Sequence, residues 1–453
     1  RINGRIFDAD GKTPMAARLY IRNADGAWFF PESEGGTAVR YEKRNFNNPL
    51  SSENHTTLSA QPWSAELPPG GWFSGETHVH RTLADLPNVM LAEDLNVAFP
   101  ITYWCTHGED PPFHFDKGMQ AGKQASLIQV DGTHVIWPLN TEWEIFTMKG
   151  QDHTLGAIIA LGHRDVIDQG APPLGKIAQS VKEQNAMIDM DKPDWPWSPA
   201  LPAAMDVHLY ELSNNHVWRV PFALTKWFTP APQWMLSGAA ESGTERDWLE
   251  YTHRTYWAML NCGRRLQPSA GTASGVHPVP LGYSRVYVEC PDGFSYENWC
   301  AGLRAGRSFV TTGPMLDCKV RREGVDAIVE TRVRSRTGVG DVEIIVNGAI
   351  RETHPATGLD SALTVRIPLD GTTWIAVRAW EPQSDGRFRF AHSAPVWFDD
   401  VQKPLRPLKR EAEFLTSRVR DEIARSRGVL PPASLAEFQQ ALAEWERAVA
   451  NAR

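Results

Sequence analysis

The sequence predicts an α/β protein in which a barrel-like domain lies between two β-sandwich-like segments and precedes a helical tail. Strand-like and helix-like stretches alternate over residues 71–288 of the 453-residue chain, a pattern typical of α/β domains. Residues 1–70 and 289–402 show period-two alternation between turn signals, which favours β-structure. Residues 403–453 carry helical spacing, so we expect helices there.

The N-terminal segment is expected to form a small β domain. Residues 17–21, Ala-Arg-Leu-Tyr-Ile, alternate with period two, and turn signals rich in Asp and Gly occur at 8–11 and 23–26. The segment ends at residues 67–71, Leu-Pro-Pro-Gly-Gly, which we interpret as a linker.

The central domain contains two strand candidates and two helix candidates. Residues 155–161 form a continuous apolar run, as expected of a parallel strand that is buried on both faces. Residues 207–212 form a second strand candidate, whereas residues 174–188 and 248–260 show helical spacing. This alternation predicts a barrel over residues 71–288.

The C-terminal β segment carries a strong hairpin signal. Residues 342–346 run into Asn347-Gly348, a dipeptide that favours a two-residue hairpin turn. Residues 374–380 and 394–398 are further strand candidates.

The tail is predicted to contain two helices separated by the Pro-Pro pair at residues 431–432. Residues 407–426 have amphipathic helical spacing. Ser434 and Glu437 match the capping-box pattern that starts a helix, so we expect the second helix to begin there.

Composition and charge exclude several classes of protein. The net charge of −8, from 46 basic and 54 acidic residues, argues against a nucleic-acid binder with a broad basic face. No apolar run is long enough to span a bilayer. The chain begins at Arg1 with no Met and no signal peptide, so we expect a processed or trimmed N-terminus. The sequence does not indicate the oligomeric state. For the cellular compartment, it favours export slightly over the cytoplasm.

The cysteines do not form a disulfide framework or a zinc motif, because they are odd in number and irregularly spaced. We expect reduced, buried thiols. One bridge among the last three is the alternative for an exported protein. The five cysteines are Cys105, Cys262, Cys290, Cys300 and Cys318.

The sharpest chemical signal is the sequence Gly-Glu-Thr-His-Val-His over residues 75–80. Residues two apart in a strand point to the same face, so His78 and His80 can present two imidazoles to one point. Neutral imidazole is a good ligand for zinc, iron, copper and nickel. Two surface histidines in a turn are the alternative for this pair taken alone.

Two further residues at predicted strand ends strengthen the metal interpretation. Glu142 follows Asn-Thr at one strand end, and His163 follows the apolar run that ends at Leu161. Functional groups gather at the C-terminal ends of barrel strands, so both side chains could face His78 and His80 at one mouth. Taken singly, Glu142 could be a solvated carboxylate and His163 could cap a helix.

These motifs resemble the polymerase and histidinol phosphatase (PHP) superfamily, and more closely its carbaryl-hydrolase-type (CehA/McbA) branch. The resemblance rests on Gly-Glu-Thr-His-Val-His-Arg at 75–81, Ala-Glu-Asp-Leu-Asn-Val at 92–97 and the strand-end Glu142. Residues 303–314 and 391–395 are similar to the C-terminal β domain of that branch. The resemblance covers nearly the whole chain.

The resemblance implies a distorted (β/α)7 barrel with up to three metal ions at its mouth. His78 and His80 match the opening pair of ligands, Glu142 matches a bridging carboxylate, and His163 matches a later ligand. Asp85 falls where the motif often carries Ser-Asp or a further histidine.

The chain also departs from the pattern of the superfamily at two ligand motifs. Residues 101–104, Ile-Thr-Tyr-Trp, lack the usual Asp and His, and residues 271–275, Gly-Thr-Ala-Ser-Gly, lack both ligands of the last motif. His107, His216 and His277 are candidate replacements, although each could be an ordinary loop histidine. We therefore expect fewer than three ions, and favour one divalent ion per chain, with zinc preferred over manganese or iron.

These observations predict a metal-dependent hydrolase that acts on a small-molecule ester. A bound metal lowers the pKa of its water to about 7 and polarises the bond to be cleaved. Carboxyl or carbamate esters are slightly favoured. A phosphoesterase with a multinuclear site is one alternative, and a degenerate barrel that binds a glycan or a partner protein is another.

Three more side chains are candidate catalytic groups. Asp85 is a candidate proton carrier. Arg81 and Arg164 directly follow His80 and His163, so each could hold an anionic group or a developing oxyanion. Ion pairs with nearby aspartates are the alternative for both arginines.

Several tryptophans follow the last expected ligand and could cover the site. Such rings stack on aromatic or sugar-like substrates, although we favour a structural aromatic cluster for most of them. These residues are Trp195, Trp197, Trp218, Trp227 and Trp234.

Overall fold

The computed structural model describes residues 71–115, 125–217, 227–236 and 244–453 apart from 278, 357 and 385, together with residues 7, 11, 12, 16, 21, 22, 28 and 29. The predicted N-terminal β domain and Trp218 therefore lie largely or wholly outside the described residues. Within that segment, β1 (Ile21–Arg22) and β2 (Trp28–Phe29) form an antiparallel pair.

The described chain from residue 71 onward contains strands in six runs that are separated by helices. The strands are β3 (Trp72–Val79), β4 (Val97–Pro100), β5 (Tyr103–His107), β6 (Phe113–His114), β7 (Ile128–Gln129), β8 (Val135–Ile136), β9 (Thr141–Met148), β10 (Gln151–Leu161), β11 (Met187–Asp191), β12 (Leu209–Ser213), β13 (Gln267–Ala270), β14 (Arg285–Glu289), β15 (Ser308–Thr311), β16 (Met315–Glu323), β17 (Asp326–Arg334), β18 (Asp341–Val346), β19 (Ala349–Pro355), β20 (Asp360–Pro368), β21 (Thr373–Pro382), β22 (Phe388–Ser393) and β23 (Val396–Phe398). The helices are α1 (Leu86–Glu93), α2 (Gly175–Glu183), α3 (Leu201–Ala204), α4 (Glu245–Asn261), α5 (Tyr296–Arg304), α6 (Lys409–Ser426) and α7 (Pro432–Ala450), and a 3₁₀ turn covers Gln233–Met235.

The first large sheet has seven strands in the order β13-β12-β11-β10-β9-β5-β6. A tight turn at Lys149-Gly150, both with positive φ, joins β9 to β10 as an antiparallel hairpin. Strand β10 is also antiparallel to β11, so the prediction of a parallel strand at residues 155–161 is wrong. A continuous apolar run indicates burial on both faces, but the direction of the neighbouring strands depends on the connections.

The second large sheet joins the start of the central domain to the C-terminal strands. Its order is β19-β18-β21-β22-β15-β14-β3-β4-β8-β7, with β23 beside β21. Strand β14 pairs antiparallel with both β3 and β15, so one sheet continues through the predicted boundary at residue 288. The C-terminal β segment is therefore not a sandwich separate from the central sheet.

The predicted (β/α)7 barrel is wrong, because the described strands form open sheets and no closed barrel. Strand β8 pairs with the free edge of β4, where a barrel would require β5. Between β4 and β5 the chain crosses to the other sheet at Thr102, whose N–H donates to the Asn140 carbonyl. The other edge of β3 pairs with β14, and within the described residues only an isolated bridge from Val79 to Ser274 joins β3 to the chain that follows β13. The result is a mixed α/β fold that is rich in sheet.

A third sheet, β16-β17-β20, packs on the second one. Leu316 and Val329 of this sheet share a buried cluster with Ile344 and Val377 of the second sheet. The hairpin predicted at Asn347-Gly348 is confirmed and joins β18 to β19.

The helical tail packs on the side of the molecule that contains the first sheet. The start predicted for the second helix is wrong, because α7 begins at Pro432 and no side chain caps it. The Glu437 carboxylate instead accepts the N–H groups of Leu174 (2.8 Å) and Gly175 (2.9 Å), at the N-terminus of α2. Glu437 thus ties the tail to the central domain, because it satisfies backbone donors that the first turn of a helix leaves open.

The structure also bears on the expectations for the cysteines and for membrane-spanning segments. All five cysteines are free, in agreement with the expectation of reduced thiols. In the part of the chain that the structure describes, no helix is both long and apolar enough to cross a membrane.

Candidate metal centre

His78 and His80 lie at the end of β3, where the loop over residues 271–275 wraps around them. The His78 carbonyl accepts the N–H of Ala273 at 2.9 Å, and the His80 N–H donates to the Ser274 carbonyl at 2.8 Å. Gly271 makes this close approach possible, since a Cβ there would lie 2.1 Å from the His78 Cβ. Both imidazoles are consequently buried and fixed in position.

The first sheet supplies a row of carboxylates to the same place. Glu142 on β9 and Asp189 on β11 both pair with Ile159 of β10, and Glu144 and Asp191 share the next row. Paired residues in neighbouring strands point to the same face of a sheet. The antiparallel β10 therefore places acidic side chains of β9 and β11 on one face.

Three side chains, His78, His80 and Glu142, converge and are called the metal triad below. The distance is 3.2 Å between the two Nε2 atoms, 3.1 Å from His80 Nε2 to Glu142 Oε2, and 3.5 Å from His78 Nε2 to Glu142 Oε1. Both Glu142 oxygens are buried and accept no hydrogen bond within the described chain. Such oxygens are costly to bury unless a cation satisfies them.

The spacing of the triad fits one tetrahedral ion. Zinc lies about 2.0–2.1 Å from imidazole nitrogen and carboxylate oxygen, so the ligands on a regular tetrahedron are about 3.3 Å apart. The two imidazole nitrogens are 3.2 Å apart, and each faces a different Glu142 oxygen, at 3.1 Å from His80 and 3.5 Å from His78, close to this value. The residues present therefore fit a divalent metal.

The second ring nitrogen of His78 faces two other carboxylates. His78 Nδ1 lies 3.2 Å from Glu211 Oε1 and 3.6 Å from Asp191 Oδ2. With Nδ1 donating to Glu211, the Nε2 lone pair is free to point at the centre of the triad. A carboxylate behind a metal-binding histidine orients the ring in this way.

Lys192 places a positive charge beside the triad. Its Nζ lies 2.9 Å from Glu144 Oε1 and 3.7 Å from Glu142 Oε1, and it also pairs with the Asp191 carboxylate. Burial alone would lower the pKa of Lys192, but the negative charges of Asp191, Glu144 and Glu142 hold the pKa well above its usual value. The ammonium ion therefore keeps its proton at neutral pH.

Burial shifts the pKa of His78, Glu142 and Glu144 toward their neutral forms. It lowers the pKa of His78 to about 4, against the opposing charges of Glu142 and Asp191. It raises the pKa of Glu144 to about 7, although Lys192 opposes the shift, and it raises the pKa of Glu142 as well. His78 is therefore neutral at pH 7, the form that binds a metal.

A cavity of about 190 Å³ opens beside the triad. The Trp104 ring lies beside His80, with a ring-centroid distance of 4.9 Å and the two ring planes tilted by 59°. His277 lines the same cavity and stays a candidate fourth ligand. The other lining residues combine aromatic and polar side chains: His78, His80, Glu144, Phe146, Lys192, Asn215, Ala273 and Val276.

The structure places His163 away from the triad. Its Nε2 contacts Thr141 Oγ1 at 3.0 Å and its Nδ1 contacts the Asp165 carbonyl at 2.9 Å, so both ring nitrogens have protein partners. The cause is the direction of β10. Because β10 is antiparallel to β9, its C-terminal end lies at the start of β9, and Thr141 points to the opposite face from Glu142.

The other predicted site residues also lie outside the triad. Asp85 is at the N-terminal end of α1, Arg164 is exposed, and His107 is exposed at the end of β5, and none of them lines the cavity. Arg81 is buried and donates to Ser274 Oγ at 3.2 Å, so it helps to hold the loop around β3. His216 packs on Trp248 at a ring-centroid distance of 5.2 Å.

The sequence analysis missed Asp189, Asp191, Lys192 and Glu211. A signal was present in Met-Ile-Asp-Met-Asp over residues 187–191, where acidic residues alternate with apolar ones. Such alternation predicts a strand with one acidic face, but we extended a helix as far as residue 188. The strand is β11, and α2 ends before it.

Most of the described tryptophans in the aromatic loops pack within the fold, and one lies near the site. Trp197 is buried against Gly156, where its ring leaves no room for a Cβ. Trp227 packs near Trp248, and Trp234 near Phe414. Trp195 lies close to the site, with its ring centroid 5.4 Å from Lys192 Nζ.

No family model matches this chain, and no curated protein matches it either. The assignment to the PHP superfamily therefore stays a prediction from motifs.

Proposed function

We propose that the protein is a metal-dependent hydrolase that binds one divalent ion, with zinc favoured, through His78, His80 and Glu142. The observation that carries this proposal is the convergence of the triad: two imidazole nitrogens lie 3.2 Å apart and face the two Glu142 oxygens at 3.1 and 3.5 Å. The buried Glu142 oxygens, which accept no hydrogen bond in the described chain, support it.

A divalent ion in this site would supply a Lewis acid that lowers the pKa of water to about 7 and polarises an ester oxygen. The protein contributes the orientation of the ligands. Glu211 holds the His78 ring, and the loop at residues 271–275 holds the backbone of both histidines. Lys192 adds a fixed positive charge that faces the cavity, where an ester oxygen gains negative charge during hydrolysis.

The cavity and its rim favour a carboxyl or carbamate ester with a flat apolar portion. A volume of about 190 Å³ accommodates the reacting carbonyl and a small substituent. Phe146 lines the cavity and is 38% exposed, and the ring of Trp195 lies 5.6 Å from it. Exposed aromatic rings beside a polar floor can stack on a flat substrate while the ester points inward.

The test is to measure metal content and hydrolysis in matched histidine variants. The wild type, His78→Ala and His107→Ala are purified without chelators, loaded with Zn²⁺, Mn²⁺ or Fe²⁺ and analysed for metal. Each is then assayed with p-nitrophenyl acetate, a p-nitrophenyl carbamate and p-nitrophenyl phosphate.

We expect one ion per chain in the wild type and in His107→Ala, with turnover of the carbon esters. His78→Ala should lose the ion and reduce that turnover at least about 100-fold, because the Lewis acid is lost. An unchanged metal content in His78→Ala would contradict the proposal. Fast turnover of the phosphate alone would contradict the choice of ester and favour the phosphoesterase alternative.

A further inference from the structure

Lys192 lies among the buried carboxylates beside the metal triad, close to the Glu142 oxygen that also faces His78. Its Nζ pairs with Asp191 and is 2.9 Å from Glu144 Oε1 and 3.7 Å from Glu142 Oε1. The side chain is buried and lines the cavity. This side chain therefore brings one positive charge to three carboxylates.

The backbone holds Lys192 in an uncommon conformation. Its φ of 51° lies in the left-handed region, which a residue with a Cβ seldom adopts. The Lys192 carbonyl accepts the Trp195 N–H at 3.0 Å and the Ser198 hydroxyl at 2.8 Å, which fixes the turn that follows β11. The fold thus maintains a strained residue at the edge of the site, where strain commonly accompanies function.

The Glu142 carboxylate lies close to both the histidines of the metal triad and the Lys192 ammonium, and its Oε1 is 3.5 Å from His78 Nε2. Its Oε2 is 3.1 Å from His80 Nε2, and its Oε1 is 3.7 Å from Lys192 Nζ. In hydrolases with two metals the ions lie about 3.5–4 Å apart and clamp the reacting group between them. Glu142 is placed to connect two cations in the same way. The first cation would be the ion in the metal triad, and the second is the Lys192 ammonium.

We propose that Lys192 is a resident second cation, which takes the place of a second metal ion and keeps the site mononuclear. This inference rests on the proposed function, because it requires an ion in the triad. The ammonium pairs with Asp191 and Glu144 and lies 3.7 Å from Glu142 Oε1, so it occupies the space between carboxylates that would otherwise form a second set of oxygen ligands. It also carries one positive charge where a metal would carry two, so the site stabilises less negative charge than a dinuclear one.

The experiment compares the Mn²⁺ stoichiometry of the wild type, Lys192→Ala, Lys192→Arg and Lys149→Ala. Lys149 is a matched control, because it is an exposed lysine that donates to the Val429 carbonyl, on another part of the molecule. Calorimetric titration counts the ions. Electron paramagnetic resonance then tells whether two Mn²⁺ ions are close enough to be magnetically coupled.

We expect one uncoupled ion in the wild type, in Lys192→Arg and in Lys149→Ala, and two coupled ions in Lys192→Ala. Lys192→Met is titrated in parallel, so that a folding defect of the alanine variant does not decide the result. One ion in both Lys192→Ala and Lys192→Met, or a second ion that is not coupled to the first, would overturn this inference but not the proposed function. A wild type that binds no ion would overturn the proposed function itself.

Discussion

At the scale of single residues, His78 is the side chain on which the site depends most. Its Nε2 faces His80 and Glu142, while its Nδ1 is 3.2 Å from Glu211. An imidazole can bind a metal through one nitrogen and donate through the other, and the donor side fixes which nitrogen keeps the lone pair. Glu211 is therefore a positioning residue for the metal site.

Replacing Glu211 by Ala should weaken metal binding about 10–100-fold, the usual effect of losing a carboxylate behind a histidine ligand. The measurement is competition for Zn²⁺ with a chromophoric chelator. Glu211→Gln should recover much of the affinity, because the amide oxygen still accepts the His78 Nδ1–H. Equal affinities in the wild type and Glu211→Ala would show that His78 does not need this partner.

At the scale of elements, the site depends on how closely the loop at residues 271–275 approaches β3. A Cβ on Gly271 would lie 2.0 Å from Glu211 Oε1 and 2.1 Å from the His78 Cβ. The last ligand motif of the superfamily is absent from this loop, but its small residues allow the backbone to enclose His78.

Gly271→Ala should separate β3 from the loop and disturb both His78 and Glu211. We expect a loss of about 1–3 kcal/mol in the free energy of unfolding, which is typical of overpacking, together with weaker metal binding. The measurements are urea denaturation and Zn²⁺ titration. Gly132→Ala is the control, because nothing lies within 4 Å of a Cβ there. Equal losses in both variants would contradict the account of Gly271.

The elements also explain which site residues could be predicted from sequence. The alternation of a single strand is a local property, so His78 and His80 were identified together and do lie together. Whether His163 joins them depends on the direction of β10 relative to β9, which follows from a hairpin turn and from long-range pairing. The residues 187–191 were missed because a helical pattern was extended into a strand with acidic residues on one face.

At the scale of the whole molecule, α4 connects the two large sheets through buried polar groups. On the side of the first sheet, the Tyr210 hydroxyl of β12 donates to the Thr252 carbonyl of α4 at 2.8 Å. Arg378 of β21 donates to Glu250 of α4 and to Glu343 of β18. His392 of β22 accepts the indole N–H of Trp257 at 3.0 Å. The closed barrel was predicted from the alternation of strand-like and helix-like stretches and from a family resemblance, whereas these contacts show why the C-terminal strands belong to the same folded unit.

The stability of the fold should fall in acid partly through His392. Burial lowers the pKa of His392 from 6.5 to about 3, and the charge of Arg378 contributes in the same direction. The unfolded chain therefore takes up a proton below pH 6.5 that the folded chain refuses. The contribution of His392 to stability is present above pH 6.5 and decreases by up to about 1.4 kcal/mol per pH unit below it.

The His392→Gln variant tests this pH dependence. It should be less stable than the wild type at pH 7, because it loses the hydrogen bond from Trp257. The difference in unfolding free energy, measured by urea denaturation of metal-free protein, should shrink as the pH falls from 6.5 toward 4. Parallel curves for the two proteins over this range would contradict the assignment to His392.

The central claim is that His78, His80 and Glu142 hold one ion. Anomalous X-ray diffraction at the zinc edge, from crystals of the zinc-loaded protein, tests it most directly. We predict a single strong peak about 2.1 Å from the Nε2 atoms of His78 and His80 and from one Glu142 oxygen. A peak beside His163, or no peak within the triad, would contradict the claim.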